Sequence, residues 1–332
     1  MKRYWRILGF GAVAIVLLVL PLLMKNLYQL HLLNMAVFYA IVSVGLNFSV
    51  GLTGITSMAQ AAFWGIGAYT SALLAVRLGV SFWIGLPCAG LFSAILAVLL
   101  GIPTLRVSGL YLTMVTIGFA EIVRLVLWNW SDVTFGSFGV VGIPKPVLGS
   151  YTFSSPQSFY YLALIISVIL IVVALRIQRS RIGRAFVAIR EDELAADAMG
   201  INVPLYKTLA FALSAAYAGI SGSLYAHRVA YINPDIYNFA EAIKQLSMVI
   251  LGGAGSVPGA ILGSSVALLL PEWLKFLKEY YLAIYGLGVI LIIRYMPGGL
   301  ISILCDKLWP WLVQVAESLL GKRKPTAGYR TR

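Results

Sequence analysis

Charged residues are scarce in this chain of 332 residues: only 11% are charged, against about 25% in an average soluble domain. Hydrophobic residues make up 60%, and the mean hydropathy is +0.90, which is more apolar surface than one soluble core can bury. The charge-free stretch 26–76 alone is long enough for two membrane crossings of about 20 residues each. These features exclude a soluble globular protein and predict an all-α integral membrane protein.

Residues that carry chemistry are equally sparse. Cys88 and Cys305 lie far apart, so the sequence has neither a disulfide framework nor a metal motif. His31 and His227 are isolated near span ends, and no nucleophile in a span has a matched base. The phosphate-binding pattern Gly-x4-Gly-Lys-Ser/Thr is missing. We therefore expect no catalytic residue, no bound metal and no cofactor on this chain, which cannot hydrolyse ATP by itself.

Basic residues outnumber acidic ones, 25 to 12. They lie in short gaps between apolar runs, a pattern that sets membrane topology and does not indicate nucleic-acid binding. The first apolar run has no small-residue cleavage site, so we interpret it as a span and not as a signal peptide. The apolar runs predict about ten spans, near 7–24, 28–50, 57–78, 81–102, 108–128, 158–176, 206–226, 243–254, 256–271 and 280–296.

With ten spans, the three basic clusters fall on one side, which should be cytoplasmic. Both termini, the loop 177–206 and the basic tail 297–332 are then cytoplasmic, while the loop 129–157, rich in Gly and Pro, faces outward as an ordered, turn-rich segment. Glycine breaks at Gly51–Gly54 and Gly252–Gly255 interrupt apolar sequence in the two halves, which suggests an internal repeat and a central binding site.

The loop 177–206 predicts a short helix. Asp192 can cap it, Glu193 lies in its first turn, Gly200 suits the position after its end, and Pro204 can start the next helix. We expect the small residues Ala195, Ala196 and Ala198 on the helix surface, where they would fit a groove of a partner. A solvated linker helix is the alternative interpretation.

Two groups of polar residues lie within predicted spans. Glu121 and Arg124 are one turn apart, and they are either a functional site in the membrane or a simple stabilising pair. The other group either lines a translocation path or joins helices by hydrogen bonds. Together with Glu121, these candidate path residues are Asn47, Thr53, Thr56, Ser57, Gln60 and Thr116.

Several stretches resemble permease subunits of ATP-binding-cassette (ABC) importers, specifically branched-chain amino acid permeases of the LivM type. The resemblance covers nearly the whole chain in order, although the family's Glu-Ala-Ala reads Glu193-Leu-Ala-Ala196 here. The stretches that carry it are Leu46–Gly54, Ala61–Thr70, Gly109–Thr116, Glu121–Arg124, Glu193–Gly200, Met248–Ser256 and Pro297–Leu300.

The resemblance implies a single transmembrane permease domain over residues 1–332, in a bacterial plasma (inner) membrane. Its implied partners are two ATP-binding subunits that carry ATP and Mg, a second homologous permease chain and an external solute-binding protein. The implied substrates are branched-chain or other hydrophobic amino acids, which would be moved by alternating access. Urea, short amides and sugars are alternative substrates of the same class of permease. A stand-alone secondary transporter is the alternative class of protein. The implied ATPase-coupling residues are Arg184, Arg190, Glu193, Ala195, Ala196 and Gly200.

Overall fold

A computed structural model of the chain describes residues 18–22, 24, 26–105, 109–273, 286–287, 290, 294 and 298–302. Most of the described residues are helical. The helices are α1 (Leu27–Leu46, continued by a π-helical turn, Asn47–Leu52), α2 (Gln60–Leu78), α3 (Phe82–Thr104), α4 (Leu110–Asn129), α5 (Pro156–Arg179), α6 (Arg181–Glu191), α7 (Glu193–Ala198), α8 (Val203–Val229), α9 (Phe239–Gly252) and α10 (Val257–Trp273). One-turn helices also occur at Ser131–Thr134, Gly136–Phe138, Pro234–Tyr237 and Gly299–Ser302.

Within the described ranges, six helices are long and apolar enough to cross a membrane: Leu27–Leu52, Gln60–Leu78, Phe82–Thr104, Leu110–Asn129, Pro156–Arg179 and Val203–Val229. They coincide with six of the predicted spans, and the predicted spans 243–254 and 256–271 correspond to the shorter α9 and α10. The predicted spans 7–24 and 280–296 and the tail 297–332 lie largely outside the described residues. The total of ten, the side of both termini and the internal repeat stay predictions.

The helix signals in 177–206 act as predicted. The Asp192 side chain accepts hydrogen bonds from the backbone N–H groups of Leu194 and Ala195, at 2.9 and 3.0 Å, and caps α7. Gly200 follows α7 with φ +84°, a left-handed conformation that favours glycine. Pro204 lies in the first turn of α8.

Small residues bring the helices of the bundle close together. The long helix α8 packs against α1, α2 and α3, and its buried face is built largely of Ala, Gly and Ser. A Cβ atom on Gly67 of α2 would overlap the backbone of Gly219 on α8. Such close backbone approach is what stabilises helix pairs in lipid, where the hydrophobic effect does not drive association.

Helix α5 separates the two long loops. It has 24 residues, roughly 36 Å of helix, and joins 129–157 directly to 177–206. The two loops therefore lie at opposite ends of the bundle, and we call the end with 177–206 the basic end and the other the loop end.

The segment at the loop end contains two short β-ribbons as well as turns. The strand Val140–Val141 pairs antiparallel with Tyr231–Ile232, and Val147–Leu148 pairs antiparallel with Tyr151–Thr152. The sequence predicted turns here and no strands, because two-residue strands are too short to show the alternating pattern of a strand.

Candidate functional site

At the basic end, three parts of the chain meet around Arg190, near the C-terminus of α6. Its guanidinium donates a hydrogen bond to the carbonyl oxygen of Gly51 in the π-helical turn. The Gln178 amide donates to the carbonyl oxygen of Gly255 at 2.7 Å, and the Gly255 N–H donates to the side-chain oxygen of Asn47 at 2.8 Å. Both glycine breaks are therefore joined to each other and to the loop 177–206; we call this contact the break junction.

The break junction depends on glycine at its centre. Gly255 has φ +95°, and a Cβ atom there would lie 2.9 Å from the Arg190 guanidinium and 3.2 Å from the Gly51 oxygen. Any side chain would push these groups apart.

Helix α7 is tied to the longest span by an ion pair. The Lys207 ammonium, on α8, lies 2.6 Å from the Glu193 carboxylate, and the Lys207 side chain is only 10% exposed. Arg184, by contrast, is exposed on α6 and donates to the Arg179 carbonyl oxygen at 3.4 Å. This ion pair joins α7 to α8 through a charged, partly buried contact.

The prediction that all three alanines lie on the surface of α7 is wrong for Ala196. Its side chain is 4% exposed and packs with Ile189 and Val203 in a small apolar cluster. Ala195 and Ala198 are exposed, as predicted. Sequence alone could not separate them, because the neighbours that cover Ala196 come from α6 and α8.

Two exposed apolar residues that were not predicted from the sequence flank the alanines. Leu194 is 84% exposed and Met199 is 83% exposed, both at the basic end. The signal that could have found them is a large apolar side chain on a short helix that otherwise carries acids and alanines, with a second one directly after its last residue.

The candidate path residues lie mostly inside the bundle. Asn47, Thr53, Ser57, Gln60 and Thr116 are buried, while Thr56 is exposed. The Gln60 amide nitrogen donates to the Val42 carbonyl at 3.3 Å, and its amide oxygen accepts from the Ser214 hydroxyl at 2.9 Å.

Others in this group also bond to the bundle's own backbone. The Thr53 hydroxyl donates to the Ser49 carbonyl at 2.6 Å. The Thr116 hydroxyl accepts from the Met58 N–H at 3.1 Å. The geometry agrees with hydrogen bonds that join helices, and a role in translocation stays a prediction.

Arg124 of the predicted Glu121–Arg124 pair on α4 also contacts a second acid, Asp235. Arg124 lies 2.5 Å from the Glu121 carboxylate and 3.3 Å from that of Asp235. The Glu121 side chain is 46% exposed, and on α4 only Leu112, Thr116 and Leu127 are buried. An ion pair therefore lies open on the surface of an apolar span.

Two further charged residues within the bundle were missed. Glu241 and Lys244 lie on α9, and their carboxylate and ammonium are 3.6 Å apart. The predicted span 243–254 included Lys244 but left Glu241 outside, whereas α9 begins at Phe239. Among the described residues, no group of three His, Cys, Asp or Glu side chains could hold a metal ion.

Comparison with known families decides the identity of the bundle. The family described as "Branched-chain amino acid transport system / permease component" matches residues 28–293, a range that includes the break junction, α7 and the six candidate spans. The chain belongs to this family. It is a multi-pass membrane protein homologous to the permease components of ABC importers.

Individual relatives of the chain support the same family assignment. The chain is similar to the LivM permease protein of the high-affinity branched-chain amino acid transport system from Salmonella typhimurium, at 38% identity over 81% of this chain and 68% of the relative. It is also similar to the LivH permease protein of the same-named system from Escherichia coli, at 27% identity over 80% of this chain and 91% of the relative. No solved structure matches the chain significantly.

Proposed function

We propose that this chain is the membrane-spanning subunit of an ATP-driven importer for branched-chain or other hydrophobic amino acids, in a bacterial plasma (inner) membrane. It works with two ATP-binding subunits, which carry ATP and Mg, a second homologous permease chain and an external solute-binding protein. It has no catalytic role itself.

The exposed apolar side chains of Leu194 and Met199 carry the coupling part of the proposal. Leu194 lies on the six-residue helix α7 at the basic end, beside the exposed Ala195, and Met199 directly follows this helix. Large exposed apolar side chains on a short polar loop are typical of a protein-binding surface. An ATP-binding subunit would cover them and would pull or push α7 as it binds and hydrolyses ATP.

Movement of α7 has two routes into the bundle. The Glu193–Lys207 ion pair leads to α8, which packs on α1, α2 and α3. The break junction connects Arg190 to the turns that follow α1 and α9, through its contacts with Gly51 and Gly255. Alternating access needs such a connection between the site of ATP hydrolysis and the spans.

The open ion pair on α4 supports a second permease chain. Charged side chains within membrane spans almost always face protein or water, because exposure to lipid is costly. With Glu121 46% exposed, the face of α4 that carries it should be covered by another protein chain or border the solute path. Escherichia coli itself has two relatives of this chain, LivM and LivH, both permease proteins of a high-affinity branched-chain amino acid transport system, which favours a pair of homologous chains.

Purification of the intact complex through an affinity tag on this chain tests the proposal. Mass spectrometry should find two ATP-binding subunits for two homologous permease chains, and the complex should hydrolyse ATP. The solute-binding protein that stimulates this hydrolysis should bind leucine and not urea. Purification of the chain as a homo-oligomer that takes up solute without ATP would contradict the proposal and favour a secondary transporter.

A further inference from the structure

A cluster of charged and amide side chains lies at the start of α9, towards the loop end. The Lys244 ammonium donates to the Tyr39 hydroxyl at 2.7 Å and lies 4.1 Å from the centre of the Tyr39 ring. The Glu241 carboxylate accepts from the Gln245 amide at 3.2 Å and also bonds to the Tyr39 hydroxyl. The Glu241 side chain is 14% exposed and that of Lys244 is 34% exposed, so the carboxylate lies mostly inside the bundle and the ammonium is partly exposed.

Aromatic rings form a continuous bed beside this charged pair. Trp64 lies 5.8 Å from Tyr39, 5.3 Å from Tyr237 and 4.8 Å from Tyr225, measured between ring centres. Tyr69 lies 6.2 Å from Tyr237. The rings come from α1, α2, α8 and the turn before α9, so the bed lies where these elements meet.

Four buried polar atoms of this cluster have no hydrogen-bond partner among the described residues. They are the Trp64 indole nitrogen, the Tyr69 and Tyr237 hydroxyls and the Gln245 amide oxygen. Each of these residues is at most 3% exposed. A buried polar group without a partner costs about 1–3 kcal/mol, so four in one place need an explanation.

The geometry points to a binding site for the zwitterionic head group of a neutral amino acid. The Glu241 carboxylate and the Gln245 amide oxygen can accept from an α-ammonium group. The Lys244 ammonium, the Trp64 indole N–H and the Tyr237 hydroxyl can donate to an α-carboxylate. The aromatic bed would pack against an apolar side chain.

The charge balance of the cluster sets its selectivity. The Glu241 carboxylate and the Lys244 ammonium match the two charges of a zwitterion. A ligand with a single net charge pairs with one of these groups and leaves the other without a partner on the ligand. A neutral amide such as urea engages neither charge fully. This inference rests on the proposed function and assigns recognition of the α-amino acid substrate to this cluster of residues.

A purely structural role makes a different prediction. Glu241 lies in the first turn of α9 and Asn238 caps that helix, so the carboxylate also suits the positive end of the helix. That role accounts for Glu241 but gives no function to the Tyr237 hydroxyl. Tyr237→Phe therefore separates the two: removal of a buried hydroxyl without a partner is neutral or stabilising for the fold, whereas a binding site loses a contact.

The experiment measures leucine binding to the whole complex in nanodiscs, without the solute-binding protein, by saturation-transfer NMR. The probes are leucine, 4-methylpentanoate (which lacks the ammonium), isoamylamine (which lacks the carboxylate) and urea. The variants are Glu241→Gln and Tyr237→Phe. The matched controls are Asp132→Asn, an exposed acid at the loop end, and Tyr217→Phe, whose hydroxyl donates to the Leu170 carbonyl at 2.8 Å.

We expect the wild type to prefer leucine over both single-charge analogues and urea by about tenfold or more. Glu241→Gln should weaken leucine binding by about tenfold and remove the preference over 4-methylpentanoate. Tyr237→Phe should weaken leucine binding without lowering the melting temperature. Tyr217→Phe should lower the melting temperature and leave leucine binding unchanged, and Asp132→Asn should change neither.

Equal binding of leucine and 4-methylpentanoate by the wild type would overturn the site, as would unchanged leucine binding in Tyr237→Phe. If Glu241→Gln fails to assemble, Tyr237→Phe decides alone. ATP-driven leucine uptake by the wild-type complex is measured in parallel. Failure of uptake refutes the proposed function, whereas uptake without leucine binding to the nanodisc complex refutes only the site.

Discussion

Gly255 and Gly149 both have a positive φ, but only Gly255 has close neighbours. Gly255→Ala meets the Arg190 guanidinium and the Gly51 oxygen, whereas a Cβ atom on Gly149 meets nothing within 4 Å. Both substitutions carry the left-handed strain of about 1–2 kcal/mol. Gly255→Ala should therefore also open the break junction and abolish most ATP-driven uptake, while Gly149→Ala lowers the melting temperature and keeps uptake. Equal uptake by the two variants would show that the break junction does not matter for transport.

The Glu193–Lys207 contact makes a second prediction for single residues. Because the Glu193 side chain is 50% exposed, Glu193→Gln should change the free energy of unfolding by no more than about 1 kcal/mol. Loss of the ion pair with Lys207 on α8 should instead raise the number of ATP molecules hydrolysed per solute molecule transported by roughly two- to fivefold. Asp197→Asn, an exposed acid on the same helix, is the control and should leave this ratio unchanged. An unaltered ratio in Glu193→Gln would remove this ion pair from the coupling route.

Local signals predicted the capping residues but not the buried ones. Asp192, Gly200 and Pro204 act where they were expected, because a cap or a left-handed turn depends on neighbours within a few residues. The burial of Ala196 and the charged cluster at Glu241 depend on side chains distant in sequence. No spacing rule in one sequence reveals such contacts.

Helix α7 is the element that the proposed function needs most. Leu194→Ser should weaken binding of the ATP-binding subunits, because a large apolar contact is lost. Leu148→Ser is a matched control, since Leu148 is also exposed, at 59%, but lies at the loop end. Retention of the ATP-binding subunits during size-exclusion chromatography measures the effect. Equal dissociation in both variants would contradict docking on α7.

Elements with long apolar runs were the most predictable ones. With α1 extended by its π-helical turn to Leu52, the ends of α1 to α5 and α8 lie within three residues of the predicted spans, because hydropathy and length dominate there. The shorter α9 and α10 were expected from the glycine break between them, although α9 begins four residues before the predicted span. The π-helical turn Asn47–Leu52 was not predicted, since its backbone bonding has no sequence pattern of its own.

At the scale of the whole molecule, the two long loops must lie on opposite sides of the membrane. Single cysteines at Ser137 and Ala198, both exposed, in a chain with Cys88 and Cys305 replaced by serine, test which side each occupies. An impermeant maleimide added to intact cells should label the Ser137→Cys variant and not the Ala198→Cys variant, because the basic end should be cytoplasmic. Labelling of Ala198→Cys from outside would reverse the topology.

Transport itself is the property that the whole molecule has to produce. The direct measurement is uptake of labelled leucine and labelled urea by proteoliposomes that hold the intact complex, with its solute-binding protein outside and ATP inside. We predict leucine uptake that requires both ATP and the binding protein, with no urea uptake. Urea uptake without leucine uptake would contradict the assigned substrate, and leucine uptake that persists without ATP would contradict the account as a whole.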